Sequence, residues 1–151
     1  MFHKAIDLKF KTGTTLELRF QNGEVKEYDM SQLFSKYPQL EALRDRKLFL
    51  SGKLTGSYGI VWNDELDVEA ETIYEEGITV RHDVMPINFQ VGNAVTEARV
   101  KAGLSQKELS AATGIDQSDI SKIERGMANP SIATLNRIAN ALGAKLSVFI
   151  A

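Results

Sequence analysis

Apolar and polar residues alternate with a period of two along the first thirty positions of the chain. The apolar positions of segments 4–10 and 15–20 are Ile6, Leu8, Phe10, Leu16, Leu18 and Phe20. This period predicts strands with one buried face, and Gly13 marks the turn between them. Asn22 and Gly23 favour a second tight turn before a returning strand over 25–28. The pattern therefore predicts a three-stranded meander.

The rest of the first half mixes short helices with two further strands. The predicted elements are short helices beginning at Ser31 and Pro38, strands over 58–62 and 65–68, and a helix over 70–76 that ends at Gly77. Residues 78–89 contain Pro86 and show no clear period, which indicates a strand end followed by a linker. We therefore predict a small α+β domain at 1–84 and a linker at 85–90.

The period changes to that of amphipathic helices after residue 90. Apolar residues then recur three and four positions apart, and glycines interrupt the pattern at positions 103, 114, 126 and 143. The last residues, 145–150, alternate again as a strand would. We therefore predict an all-α domain with a C-terminal strand for residues 91–151. The whole chain is predicted to belong to the α+β class.

Two short helices joined by a tight turn are predicted between Ser105 and Gly126. Ser105 and Asp116 can cap them, and Gly114 tolerates the left-handed conformation that such a turn needs. Ile115 then plugs the corner, and the second helix projects outward as a recognition helix does in a helix-turn-helix unit. The alternative is a small helical bundle that only supports the first half, and the Gly-Ile corner favours DNA binding over it.

The exposed side of the second helix carries side chains that recognise base edges. Gln117 can pair with the N6/N7 edge of adenine, and Lys122 can reach guanine or a phosphate. Ser118 and Ser121 can donate to or accept from either base. Further phosphate contacts are expected from Gln106, Lys107, Arg125 and Arg137. The segment from Gln117 to Arg125 is therefore the predicted reader of operator DNA.

Residue identities at fixed spacing extend this pattern over positions 91–142. The series is Arg99, Gly103-Leu104-Ser105-Gln106, Glu108-Leu109, Gly114-Ile115, Ile120-Ser121, Ile123-Glu124, Gly126, Pro130-Ser131, Leu135 and Ala141-Leu142-Gly143. With these residues the segment resembles the Cro/C1 (lambda-repressor-like, XRE-type) family of helix-turn-helix domains. The resemblance implies a five-helix DNA-reading domain in which Arg99 and Glu124 form a structural ion pair. Ser110 departs from the alanine that is usual in the family.

The first 80 residues resemble, more loosely, a small bacterial domain known as domain of unknown function 2442. The basis is Phe20-Gln21-Asn22-Gly23, the helical stretch 33–43, Gly59-Ile60-Val61-Trp62, Leu66-Asp67 and Ile73-Tyr74-Glu75-Glu76-Gly77. Such domains are often encoded beside small toxin-like proteins or fused to DNA-binding domains. The resemblance thus implies a sensing role or a protein partner for the N-terminal domain.

Charge is divided unequally between the two halves. The net charge of −2 combines −4 for residues 1–86, with 11 Lys/Arg and 15 Asp/Glu, and +2 for residues 87–151, with 7 and 5. A charge of +2 neutralises few phosphates, so we expect a homodimer that binds double-stranded DNA at a palindromic operator. Lys145 to Ile150 is the candidate strand, pairing with a second protomer or with the N-terminal sheet. Some members of the resembled family pair C-terminal strands between protomers, and others dimerise through helices.

Composition excludes several other classes. No apolar run approaches the length of a membrane helix, the N-terminus lacks a signal peptide, and the chain has no cysteine. We therefore expect a cytoplasmic protein that does not contact a membrane. The isolated His3 and His82 do not predict zinc, and neither a cofactor nor a bound metal is expected. The acidic stretch over 64–76 is interpreted as a solvated or partner-binding face, with a metal or nuclease cluster as the alternative.

The sequence thus predicts a transcriptional regulator, acting as a repressor, and not an enzyme. An antitoxin is the second hypothesis: the N-terminal domain would mask a small toxin and the DNA-binding domain would autoregulate the operon. A nuclease steered to DNA by its helix-turn-helix is the third, and no phosphate loop, nucleophile elbow or catalytic triad supports it. A small toxin gene beside this one would distinguish the first two.

Overall fold

A computed structural model describes residues 2–151 and divides into two compact units. Unit 1 ends at Val84 and unit 2 begins at Met85. The strands of unit 1 are β1 (Ala5–Phe10), β2 (Thr15–Phe20), β3 (Glu24–Asp29), β4 (Lys53–Thr55), β5 (Gly59–Asn63), β6 (Leu66–Glu69) and β7 (Ile78–His82). Its helices are 3₁₀ turns over Met30–Leu33 and Pro38–Arg44, α1 (Arg46–Phe49) and α2 (Ala70–Glu76). Four helices follow in unit 2: α3 (Ile87–Lys101), α4 (Gln106–Thr113), α5 (Gln117–Glu124) and α6 (Ile132–Ala141). The predicted α+β class is confirmed.

Two antiparallel sheets form the frame of unit 1. One has the strand order β1-β2-β3-β7 and the other the order β4-β5-β6. Leu8 lies opposite Leu18, and Leu16 lies opposite Tyr28, so the alternating apolar residues share one face. The predicted meander of the first three strands is therefore confirmed. The structure adds β4 and α1, which the sequence pattern does not predict.

The start of β1 departs from the predicted alternation. A β-bulge between Ala5 and Asp7 shifts the register there, so that Ala5 lies opposite Phe20 and is buried. Ile6, predicted to share the face of Leu8, has no residue opposite it, because the register passes from Ala5 directly to Asp7. The extra residue of a bulge moves every earlier side chain to the other face.

The core of unit 1 is largely aromatic and aliphatic. Phe49 and Trp62 stack with ring centroids 6.3 Å apart, and the indole Nε1 of Trp62 donates to the carbonyl oxygen of Phe49 at 2.8 Å. Gly52 leaves room for this ring, because a Cβ there would lie 2.5 Å from Nε1 of Trp62. Trp62 therefore belongs to the core, as predicted.

Unit 2 packs its four helices around a small core. The buried apolar residues of this core are Val95, Leu109, Ile120, Ile123 and Ile138. α3 begins at Ile87, so its first turn lies inside the predicted 85–90 linker. Pro86 directly precedes the helix, where a proline is tolerated, and it therefore does not prevent the helix from starting there. Unit 2 has four helices in the described residues, where the resemblance implied five.

The C-terminal segment after α6 has no regular secondary structure. Gly143 ends the helix with φ of 66°, and residues 144–151 form no strand in the single chain. Val148, Phe149 and Ile150 are exposed. A strand needs a hydrogen-bonding neighbour, so the prediction for Lys145 to Ile150 stays a prediction about the assembled protein. Within residues 2–151, no helix is long and apolar enough to cross a membrane.

Candidate DNA interface

The interface is built on α4, a left-handed turn and α5. Ser105 and Glu108 form a capping box at the start of α4: each side chain accepts a hydrogen bond from the other's backbone N–H. Gly114 ends the helix with φ of 73°. Ile115 follows and packs against the core of unit 2. The corner thus has the geometry expected of a helix-turn-helix unit.

One face of α5 is buried and the opposite face is free for a ligand. Ile120, Ile123 and Glu124 are buried. Gln117, Ser118, Lys122 and Arg125 are exposed, and Ser121 is half-buried. The predicted base-reading residues therefore share one helix, directed away from its packed side. Asp116 makes no side-chain hydrogen bond to the helix start, so the predicted cap at this position is wrong.

The predicted phosphate-binding residues lie on three helices and at their ends. Lys107 is exposed in the first turn of α4, and Arg137 is exposed on α6. Arg125 follows α5, and its Nε donates to the carbonyl oxygen of Ser121 at 3.2 Å. Gln106 is half-buried, and its Nε2 donates to Oε1 of Glu124 at 3.3 Å. Gln106 is thereby tied to the end of α5.

Arg99 and Glu124 form a two-pronged ion pair between α3 and α5. Nε of Arg99 lies 2.7 Å from Oε2 of Glu124, and Nη2 lies 2.9 Å from Oε1. Nη1 of Arg99 donates to the carbonyl oxygen of Leu104 at 2.8 Å. This guanidinium therefore joins α3, the turn before α4 and α5.

The carboxylate of Glu124 is fully buried and has several donors around it. Thr96 on α3 also donates to its Oε1, at 3.0 Å. Burial disfavours the charged form, but the guanidinium of Arg99 and the neutral donors outweigh it and hold the pKa of Glu124 below its ordinary value. Sequence reasoning missed Thr96, although its place three residues before Arg99 puts both side chains on one helix face.

α3 approaches α5 closely at Gly92, which the sequence analysis also missed. A Cβ on Gly92 would lie 2.5 Å from the carbonyl oxygen of Ile123 and 2.6 Å from that of Glu124. Only glycine fits at this distance from the recognition helix. The available signal was a glycine inside a helical pattern, four residues before Thr96.

Five carboxylates of the acidic stretch 64–76 occur in two settings. Glu71 pairs with His3, whose Nδ1 lies 2.9 Å from Oε1 of the carboxylate and whose ring stacks on Tyr74. Other carboxylates border a groove of about 360 Å³ beside Leu33, Tyr37 and Leu40: they are Glu65, Asp67, Glu69 and Glu76. No cluster of three or more metal-ligating side chains occurs among the residues that the structure describes.

Comparisons with known proteins agree with both units. The helix-turn-helix family model matches residues 95–149, and the model of the protein family of unknown function DUF2442 matches residues 5–79. An uncharacterized HTH-type transcriptional regulator of Sinorhizobium fredii is 42% identical over 59 residues, which are 39% of this chain and 77% of that protein. Another, from Haemophilus influenzae, is 31% identical over 77 residues, or 50% of this chain and 79% of that protein.

A solved structure is similar over part of this chain. The crystal structure of an HTH_3 family transcriptional regulator from Vibrio cholerae is 38% identical over 37% of this chain and 32% of that chain, with a TM-score of 0.36. The two family models match residues that lie within the two units. The chain therefore belongs to the Cro/C1-type helix-turn-helix family and carries a DUF2442 domain ahead of its helix-turn-helix domain.

Proposed function

We propose that this protein is a DNA-binding transcriptional regulator that reads its operator with α5 and acts as a repressor. The observation that carries the proposal is the exposed polar face of α5, seated on a packed core by Ile120 and Ile123. A helix held in this way can enter the major groove and present its side chains to base edges. Repression follows if the bound protein occupies DNA that the transcription machinery needs.

Within this proposal, the residues divide by what they contact on DNA. Gln117 is suited to adenine, and Ser118 and Ser121 are suited to either base. Gln106, Lys107 and Arg125 hold phosphates, and Lys122 reaches guanine or a phosphate. Phosphate contacts supply affinity for any DNA, whereas base contacts supply the preference for one sequence.

Replacing Gln117 by alanine is expected to weaken operator binding and to leave binding to random DNA almost unchanged. Loss of a two-point contact with a base costs about 1–3 kcal/mol. The operator is obtained by selecting duplexes from a random pool with the wild-type protein, and affinities are measured on selected and scrambled DNA at one salt concentration. Asn136→Ala on α6, which also removes an exposed amide, is the matched control. Equal losses on both DNAs would refute the role assigned to Gln117.

We further propose that the functional unit is a homodimer on a palindromic operator. The net charge of +2 on residues 87–151 gives one copy few phosphate contacts, and two copies double them. The exposed Val148, Phe149 and Ile150 offer the second copy an apolar segment able to pair as a strand.

Light scattering can test whether this segment makes the dimer. The full chain is expected to be a dimer at micromolar concentration, and a chain that ends at Gly143 is expected to be a monomer. If both are monomers, or both are equally dimeric, residues 145–150 are not the dimerisation element.

The second candidate function is that of an antitoxin whose N-terminal domain binds a small toxin. The groove of unit 1 favours it, because four carboxylates and one lysine, Lys36, line it. Its Glu65, Asp67 and Glu69 form no ion pair within residues 2–151 and can receive a basic partner. This candidate requires that a neighbouring gene stops growth when expressed alone and that co-expression of this protein restores growth. If the neighbouring gene does not stop growth, the antitoxin function is excluded and the regulator remains as the proposed function.

A further inference from the structure

The peptide groups of Ile115, just before the recognition helix, are held on both sides by side chains of α4. Oγ of Ser110 donates to the carbonyl oxygen of Ile115 at 2.5 Å. Oγ1 of Thr113 accepts from the N–H of Ile115 at 3.3 Å and donates to the carbonyl oxygen of Leu109 at 2.7 Å. We call Ser110 and Thr113 the turn clamp. It fixes the orientation of the residue at the corner.

The residues on either side of Ile115 do little to fix the start of α5. Asp116, the residue at the N-cap position, uses its backbone carbonyl but not its carboxylate to hold the first turn. Gly114, on the other side of Ile115, has the widest conformational freedom of any residue type. The turn clamp therefore supplies the restraint that neither neighbour gives.

We infer that Ser110 is a positioning residue that sets the register of Gln117 and Ser118 on DNA bases; the inference rests on the proposed function. Gln117 follows Ile115 by two residues, so a rotation of the Ile115 peptide is passed directly to its side chain. Two-point contacts with bases tolerate displacements of only about 0.5 Å. Phosphate contacts from flexible lysine and arginine side chains tolerate more, since the charges attract over a longer range.

The inference predicts a selective effect of Ser110→Ala. Alanine fits the site, because it is smaller than serine and is the residue that the family resemblance leads one to expect there. The lost hydrogen bond is expected to reduce affinity for selected operator DNA about threefold to tenfold, with affinity for scrambled DNA unchanged. The probe is a duplex chosen from a random pool by the wild-type protein, and the full-length chain is used throughout.

Ser131→Ala is the matched control. Oγ of Ser131 accepts from the N–H of Thr134 at 3.1 Å and donates to Oγ1 of the same residue at 3.0 Å. This change therefore also removes one hydrogen bond between a hydroxyl and the backbone, at the start of α6, together with one between two side chains. It is expected to lower the melting temperature, as Ser110→Ala does, but to leave the ratio of operator to scrambled affinity unchanged. A merely structural role for Ser110 would not move that ratio either.

Thr113→Val tests the other half of the turn clamp with a side chain of the same shape, and it should lower the ratio as well. The inference is overturned if the ratio for Ser110→Ala equals that of the wild type, or if Ser131→Ala lowers it equally. Wild-type protein that enriches no sequence from the pool would overturn the proposed function itself, and with it the inference.

Discussion

Replacing Glu124 by alanine is expected to lower the free energy of unfolding of unit 2 by about 3–5 kcal/mol. The reason is that Arg99, whose side chain is 14% exposed, would keep its charge in a mostly buried place without its carboxylate. The total free energy of unfolding of a unit of this length is about 3–10 kcal/mol, so the loss is a large share of it. Urea unfolding of the full chain, followed by the circular dichroism of helices, measures the change.

Glu108→Ala is the control, because Glu108 is an exposed carboxylate of the capping box and its loss should cost about 1 kcal/mol.

The pH dependence of stability is an independent readout of the same ion pair. The pKa of folded Glu124 lies below the ordinary value of 4.5, so its contribution to stability is complete above that value and is lost as the pH falls through the folded pKa. Wild-type unit 2 should therefore lose stability in acid more steeply than Glu124→Ala. If the two carboxylate variants were equally stable at neutral pH, the ion pair would have no structural role.

Replacing Gly92 by alanine is expected to destabilise unit 2 by about 1–3 kcal/mol and to weaken operator binding. The added methyl would lie 2.5 Å and 2.6 Å from two carbonyl oxygens of α5, and backbone atoms cannot move aside as a flexible side chain can. α3 and α5 must therefore separate, although alanine by itself favours the helix by about 1 kcal/mol. Denaturant unfolding and operator affinity check the two effects.

Gly143→Ala provides the comparison for this glycine. Gly143 has φ of 66°, and nothing lies within 4 Å of its Cβ position, so alanine there adds local backbone strain without a clash. Its cost should be about 1 kcal/mol, with operator affinity retained. A Gly92→Ala protein as stable as the wild type would show that the two helices can separate freely.

Regular periodicity made most elements predictable. The alternation of Leu16, Leu18 and Phe20 identified a strand with one buried face, and the same residues are fully buried in the structure. In unit 2, glycines made the ends of the helices predictable, and Gly103, Gly114 and Gly126 all have positive φ in the structure. These features are local, so a single sequence carries them. The choice of Gln117, Ser118, Ser121 and Lys122 as base readers needs DNA and stays a prediction.

Contacts between distant segments were not predictable in the same way. Nothing near Ala5 indicates the bulge that puts it opposite Phe20. The need for glycine at position 92 arises from backbone atoms of α5, about thirty residues along the chain. The hydrogen bond from Ser110 to Ile115 depends on the angle between two helices, and a sequence pattern shows only that a small residue fits there. Each of these features depends on tertiary geometry.

The small core of unit 2 has a consequence for the lifetime of the protein. Five buried apolar side chains leave the folded state of unit 2 only modestly favoured. Under the proposed function, operator DNA binds the folded state alone and adds about 2.7 kcal/mol when its free concentration is a hundred times the Kd. Copies on DNA then unfold rarely, whereas free copies open more often to proteases. Proteolysis thus removes mainly the copies that are not bound to DNA, and the copies on the operator persist.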